Sequence, residues 1–209
     1  MDISRIGVLT SGGDAPGMNA AVRAIVRYGI EAELEVYGIY KGYEGLINGL
    51  IKEMNRRSVS DILQRGGTIL KTARSEEFNT EDGVKKGIDR ARIFNLDLIV
   101  VIGGNGSFRG AKAISDMGMP VICIPCTIDN DLAYTEQTIG FDTAINTVLE
   151  AITRIRDTSS AHERTTVIEV MGRECGDLAL YSGLSGGAEV ALVPELVADM
   201  DYVCMKVMQ

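Results

Sequence analysis

Four short stretches of this sequence carry residue types suited to handling a phosphorylated molecule. The first, Thr10-Ser11-Gly12-Gly13-Asp14-Ala15-Pro16-Gly17, follows the apolar run Ile6-Gly7-Val8-Leu9. Glycine lets backbone approach a ligand closely, and a strand-to-helix turn presents unbonded amides and the positive end of a helix dipole, both favourable to phosphate. A tight turn that needs glycine for geometry alone is the competing reading. The stretch lacks the Gly-Lys-Ser/Thr end of a P-loop. The second, Gly103-Gly104-Asn105-Gly106-Ser107, repeats the design after the run Leu98-Ile99-Val100-Val101-Ile102. The dinucleotide fingerprint G-x-G-x-x-G does not fit it, because Gly104, Gly106 and Gly110 are spaced one residue too far.

The third stretch, Thr127-Ile128-Asp129-Asn130-Asp131, sets two carboxylates in one loop after an apolar run. That arrangement suits a general base beside a charged or metal partner, with an Asx-rich turn as the structural alternative. The fourth is Met171-Gly172-Arg173, and Arg74 and Arg164 add fixed positive charge suited to sugar-phosphate oxygens. Taken singly, each arginine also reads as a solvated surface residue.

Elements must hold these loops in place, and the periodicity supplies them. Met18, Ala21, Val22, Ile25 and Val26 recur at helical spacing, with Arg23 and Arg27 on another face. Leu34–Tyr40 reads as a strand, Ser58–Gln64 as a short helix ended by Gly66-Gly67, and Thr80 as the cap of a helix reaching about Phe94. The run at 98–102 reads as a buried strand, followed by a helix near Ser107–Met117 and a strand at Val121–Ile124. Ile145, Val148, Leu149, Ile152 and Ile155 mark a long helix from Asp142. Thr166–Val170 and Glu189–Val193 read as strands around a helix near Asp177–Leu184, and Tyr202–Gln209 as an uncapped tail after a strand. Strands alternating with helices demand crossovers, hence an α/β fold with a mostly parallel sheet covered on both faces and ligands at the strands' carboxyl ends.

Composition narrows the function classes. A chain of 209 residues can bury a core without staples. Its 21 Lys+Arg against 29 Asp+Glu give a net charge of −8, which argues against nucleic-acid and anionic-membrane partners and leaves anion capture to local arginines. With 45% hydrophobic and 24% charged residues it is an ordinary globular composition, neither disordered nor membrane-spanning. No basic segment leading into a long apolar run opens the chain, so a cytoplasmic location is expected. The four cysteines are too sparse for a disulfide framework and are expected to be reduced; Cys123 and Cys126 form a C-x-x-C without a second pair, read as core cysteines. His162, the sole histidine, reads as a helix-end cation or surface residue, not a catalyst.

Taken together, five blocks resemble the bacterial-type ATP-dependent 6-phosphofructokinase family along essentially the whole chain: GVLTSGGDAPGMNAAVRAIVR at 7–27, GGNGS at 103–107, TIDND at 127–131, IGFDTAINTV at 139–148 and EVMGRECGDLAL at 169–180. The resemblance implies a three-layer α/β/α architecture in two Rossmann-like domains, with residues 1–138 binding ATP and 139–209 beginning the sugar-phosphate domain. It implies transfer of the ATP γ-phosphoryl group, with Mg²⁺, to the 1-hydroxyl of fructose 6-phosphate. By resemblance, Gly13, Arg74, Ser75 and Gly104 to Ser107 (Gly104, Asn105, Gly106, Ser107) would hold ATP. Asp129 would be the base, with Thr127, Asp131, Arg173 and Arg74 around the transferring group. Thr127, Ile128, Asp129, Arg164, Met171, Gly172 and Arg173 would contact the sugar phosphate. Arg23, Arg27, Arg56, Arg156, Gly187 and Glu189 would serve an effector site for ADP or phosphoenolpyruvate in a homotetramer.

Three departures from the family pattern stand out. Position 105 is Asn where the family carries its Mg²⁺-associated Asp, and a neutral amide oxygen is a weaker partner for a hard dication. Position 126 is Cys where ATP users have Gly and pyrophosphate users Lys; Gly106 agrees with the ATP users. The family's chain also continues past position 209, so a chain ending there is expected to have an incomplete second sheet and little or no activity. The alternative readings are a truncated, catalytically impaired paralogue or binding subunit, and a pyrophosphate-dependent phosphofructokinase.

Overall fold

Leu98–Gly103 is buried at every position, so its strand needs neighbours on both edges and helices on both faces. The computed structural model, which describes residues 3–208, supplies both. The chain divides into two compact units, one running through Thr127 and one beginning at Ile128. In the first unit the elements run β1 (Arg5–Thr10), α1 (Met18–Glu31), β2 (Glu35–Ile39), α2 (Gly42–Asn48), β3 (Ile51–Met54), α3 (Glu81–Ile93), β4 (Leu98–Gly103), α4 (Asn105–Asp116) and β5 (Val121–Thr127). The strands lie in the order β3-β2-β1-β4-β5. β1 pairs in parallel with β2 and β4, and β4 with β5, while β3 returns antiparallel along β2. The mostly parallel α/β sheet predicted from the sequence is therefore present.

Alternation along the strands sorts the core. Leu9, Ile39, Ile99 and Val101 join Leu46, Val84, Ile88, Ala111 and Ile114 in one cluster beneath α2, α3 and α4. The opposite face takes α1, whose Met18, Val22 and Val26 are fully buried and whose Gly29 leaves no room for a Cβ, 2.7 Å from Val36 Cγ2. α3 begins where the cap signal says: Thr80 Oγ1 accepts the Gly83 amide at 3.1 Å. The strand entry of β1 is fixed by Asp97, whose carboxylate is held below its ordinary pKa first by the Ser4 amide and then by that of Arg5.

Several expectations are corrected. α2 and β3 carried no recognised signal, and both are present. Residues 58–64 form turns, not a helix. Asn55 Oδ1 accepts the amides of Arg57 and Ser58 at 2.9 and 3.1 Å, and Asp61 takes φ 53°, so side-chain bonding displaces helical bonding. α4 starts two residues before the expected Ser107, and β5 runs on to Thr127. Cys126 is buried, its thiol pushed up to about 12 by that burial, but Cys123 is exposed. Positions three apart on a strand point to opposite faces, so the two cysteines do not share a core. All four cysteines are free.

In the second unit, a two-residue strand β6 (Ile139–Gly140) leads into α5 (Phe141–Ala161), followed by α6 (Asp177–Gly186) and α7 (Met200–Val207). Phe141, Ala144 and Leu178 are its buried centre, with Ile128, Ile145, Val148 and Val170 packed against them. The strands expected at 166–170 and 189–193 are irregular, with Val167 and Leu192 exposed. Alternating apolar residues make a strand only where a neighbouring strand completes the ladder, and no described strand does so there. The expected tail from Tyr202 is α7 instead, capped by Asp199, whose Oδ1 accepts the amides of Asp201 and Tyr202 at 3.1 Å; Gln209 lies outside the described residues. His162 is the exposed C-terminal cap residue of α5, as expected. Among the described residues no helix is long and apolar enough to cross a membrane.

Candidate active site

Because β1 and β4 are parallel neighbours, with Thr10 opposite Ile102, their carboxyl ends deliver both glycine loops to one place. The Ser11 amide donates to Ile102 O at 3.0 Å, extending the pairing into the loops. A Cβ on Gly103 would lie 2.4 Å from Ser107 Oγ and 2.5 Å from Ser11 O, so only glycine permits this approach. Gly12 sits at φ +84°, the second position where glycine is required by the backbone. Gly13 and Gly106 differ: nothing lies within 4 Å of a Cβ at either, so protein packing does not demand glycine there. Open space beside bare backbone at a helix start is what a phosphate chain needs.

α4 opens directly after this approach. Phe108 makes its first intrahelical bond, to Gly104 O at 3.1 Å, which leaves the amides of Asn105, Gly106 and Ser107 as the helix's first-turn donors. Ser107 Oγ is buried and has no hydrogen-bond partner among the described residues. Thr127, at the end of β5, lies beside Gly104, 3.5 Å from where its Cβ would stand.

A cavity of about 530 Å³ continues from the loops, lined in part by Tyr43, Ser75, Phe78, Gly106, Arg109 and Gly110. Tyr43 and Phe78 stack with centroids 4.2 Å apart, and the Tyr43 hydroxyl donates to Ser107 O. Burial pushes that phenol's pKa up, so it stays a donor. Gly110 passes so close to the Tyr43 ring that a Cβ would stand 2.6 Å away. Tyr43, Phe78 and Arg109 were not singled out from the sequence, and Gly110 entered there only as the glycine that breaks the dinucleotide spacing. Gly110 follows the loop by one helical turn, a usable signal, whereas Tyr43 and Phe78 meet only through folding. Ser75 Oγ is also buried, with no partner among the described residues, and Arg74 beside it is exposed.

The second unit builds its own constellation. Asp129 is 8% exposed. Asn130, at φ 53°, donates from Nδ2 to Asp177 Oδ2 at 2.8 Å and accepts the Thr138 amide at 3.0 Å, which holds the loop that bears Asp129 and Asp131. Replacing Asn130 by Ala is expected to lower stability by about 2–3 kcal/mol, since both bonds vanish and Ala tolerates the left-handed conformation less well. A denaturant titration in which the unfolding free energy falls by less than about 0.5 kcal/mol would refute this role. Arg173 Nη1 lies 3.4 Å from Asp131 Oδ2. Gly172 makes the turn possible, since a Cβ there would meet Cys175 O at 2.4 Å, and Arg173 follows at φ 57°. Burial raises the Cys175 thiol's pKa.

The remaining expected residues scatter. Arg164 and Met171 are exposed. Of the effector set, Arg23 donates to Val59 O, Arg56 pairs with Glu31 at 2.6 Å, and Arg27 is exposed, all in the first unit. In the second, Arg156 Nη1 donates to the carbonyls of Gly186 and Gly187, and Glu189 is exposed.

Comparison with known proteins decides the family, because the phosphofructokinase family model matches residues 5–209. The chain belongs to the phosphofructokinase family. The ATP-dependent 6-phosphofructokinase of Clostridium tetani is 62% identical over 98% of this chain, and that of Alkaliphilus metalliredigens 60%. The chain spans 64% of the length of these curated relatives. Among solved structures, phosphofructokinase from Saccharomyces cerevisiae superposes with a TM-score of 0.91 at 36% identity, covering 99% of this chain and 31% of that one.

The phosphofructokinase family uses ATP together with Mg²⁺. Among the described residues no group of three or more His, Cys, Asp or Glu side chains could hold a metal ion, and position 105 is a neutral amide. With the exposed Asp14 as the sole carboxylate of the two glycine loops, those loops are poorly suited to a protein-held dication.

Proposed function

We propose that this chain carries the catalytic loops for transfer of the ATP γ-phosphoryl group to the 1-hydroxyl of D-fructose 6-phosphate. The observation that carries the reading is the pair of glycine loops at the ends of β1 and β4, with open space at Gly13 and Gly106 and a buried, unpartnered Ser107 hydroxyl. Phosphoryl transfer asks mainly for positioning and charge stabilisation, so amides, hydroxyls, an arginine and one base are the parts required. In this reading Gly13, Gly104, Asn105, Gly106 and Ser107 cradle the phosphates, with Arg74 and Ser75 on the nucleotide. The cavity that Gly106, Arg109 and Ser75 help to line offers room for the rest of the nucleotide.

Asp129 takes the proton from the sugar's 1-hydroxyl; the sugar O1–phosphorus bond forms, the bond to the β-phosphate's bridging oxygen breaks, and ADP leaves. Thr127, Asp131 and Arg173 surround the transferring group. Ile128, Arg164, Met171 and Gly172 contact the sugar phosphate. Residues 1–138 then make the ATP domain and 139–209 the beginning of the sugar-phosphate domain. Mg²⁺ belongs to the ATP. A cytoplasmic homotetramer goes with this reading, with Arg23, Arg27, Arg56, Arg156, Gly187 and Glu189 serving ADP or phosphoenolpyruvate.

A coupled assay for fructose 1,6-bisphosphate tests this on the chain itself and on the chain joined to the remaining third of the Clostridium tetani relative. ATP-dependent product in either form is the expected result. Silence in both, or product with pyrophosphate as the sole effective donor, would overturn it.

A further inference from the structure

The two glycine loops of the first unit hold one carboxylate between them, Asp14, and it is exposed. A protein usually holds Mg²⁺ through one or two carboxylates, the rest of its shell being waters and substrate phosphates. At the first residue of α4 this chain has a half-buried asparagine, which offers two N–H donors beside one neutral oxygen. An aspartate there would offer acceptors only and would repel a phosphate resting on the helix start; an asparagine does neither.

A second feature points the same way. Ser107 is 3% exposed and its Oγ has no partner among the described residues. That oxygen stands 3.4 Å from a Cβ position on Gly12 and 2.4 Å from one on Gly103, so it faces the gap where the two loops meet. A buried hydroxyl left unpaired is unfavourable, and an anion in the gap would satisfy it.

We propose that the Asn105 amide, the Ser107 hydroxyl and the first-turn amides of α4 grip the donor's phosphates directly, so that nucleotide binding by this chain is uncoupled from Mg²⁺. This rests on the ATP reading of the site and adds to it which groups meet the phosphate oxygens.

Calorimetric titration of ATP into the chain, once with EDTA and once with Mg²⁺, tests it. Wild-type affinities are expected to agree within about threefold between the two buffers. Asn105→Asp is expected to bind about tenfold more weakly in EDTA and to recover in Mg²⁺, while Ser107→Ala loses about tenfold in both. Manganese electron-spin resonance adds a readout independent of turnover: the ATP-free chain leaves Mn²⁺ in solution, and Asn105→Asp retains more of it in the presence of ATP. A wild-type chain that gains more than about tenfold from Mg²⁺ would overturn the uncoupling and leave the ATP reading standing. Failure to bind ATP in either buffer would overturn both. Thermal melts of the variants separate lost binding from lost folding.

Discussion

Asp129→Asn is expected to slow phosphoryl transfer by about 10³-fold while leaving ATP affinity within about twofold of the starting chain, in whichever form turns over. The reason lies in what the substitution keeps and removes. Asp129 is 8% exposed in the second unit, and asparagine has nearly its volume, so the packing around the loop survives. What vanishes is the one group assigned to accept the sugar's proton, and positioned general bases contribute about 10²- to 10⁴-fold. The nucleotide loops belong to the first unit, so their grip on ATP is untouched. A rate within about threefold of the starting value would remove Asp129 from the role of base. Asp131→Asn makes a useful contrast: its carboxylate stands 3.4 Å from Arg173, so its loss frees a guanidinium and should act more on the sugar-phosphate KM than on kcat.

Gly103→Ala is expected to reduce ATP affinity at least about tenfold and to cost about 1–3 kcal/mol of stability. The added methyl group would stand 2.5 Å from Ser11 O and 2.4 Å from Ser107 Oγ, and the first of these is backbone that cannot swing aside. Ser11 is tied to β4 through its bond to Ile102 O, so relief of the clash must spread the two loops apart. That destroys the approach on which the cradle depends. Gly106→Ala isolates the ligand's share of such losses. Nothing lies within 4 Å of its Cβ position, and alanine in a helix is about 1 kcal/mol better than glycine, so the melting temperature should hold or rise. If ATP affinity nevertheless falls, the methyl group has met the nucleotide. Unchanged affinity in both variants would place the phosphates elsewhere.

Much of the first unit was legible because its signals are local. The all-apolar run at 98–102, closed by Gly103-Gly104, reads as a strand covered on both faces, and the glycine clusters after it and after β1 read as turns. Thr80 announces α3 because its oxygen caps the helix that follows. Where the signal depended on distant partners, the reading slipped. The alternation at 166–170 and 189–193 satisfies a strand's side chains but not its backbone. Asn55 and Ser58 turned an apparent helix into a turn through bonds between a few neighbouring residues.

The sequence by itself determined the α/β class, the two phosphate-suited loops, and the carboxylate pair, since residue type and spacing along the chain carry that information. Tertiary structure alone decided the rest of the site. It stacked Tyr43 on Phe78, brought Gly110 against that ring, and closed Gly12 and Gly103 around the Ser107 hydroxyl. Apart from Gly103 with Ser107, these contacts join residues far apart in the chain, and which of them meet is settled by strand order and close packing, quantities that no local pattern encodes.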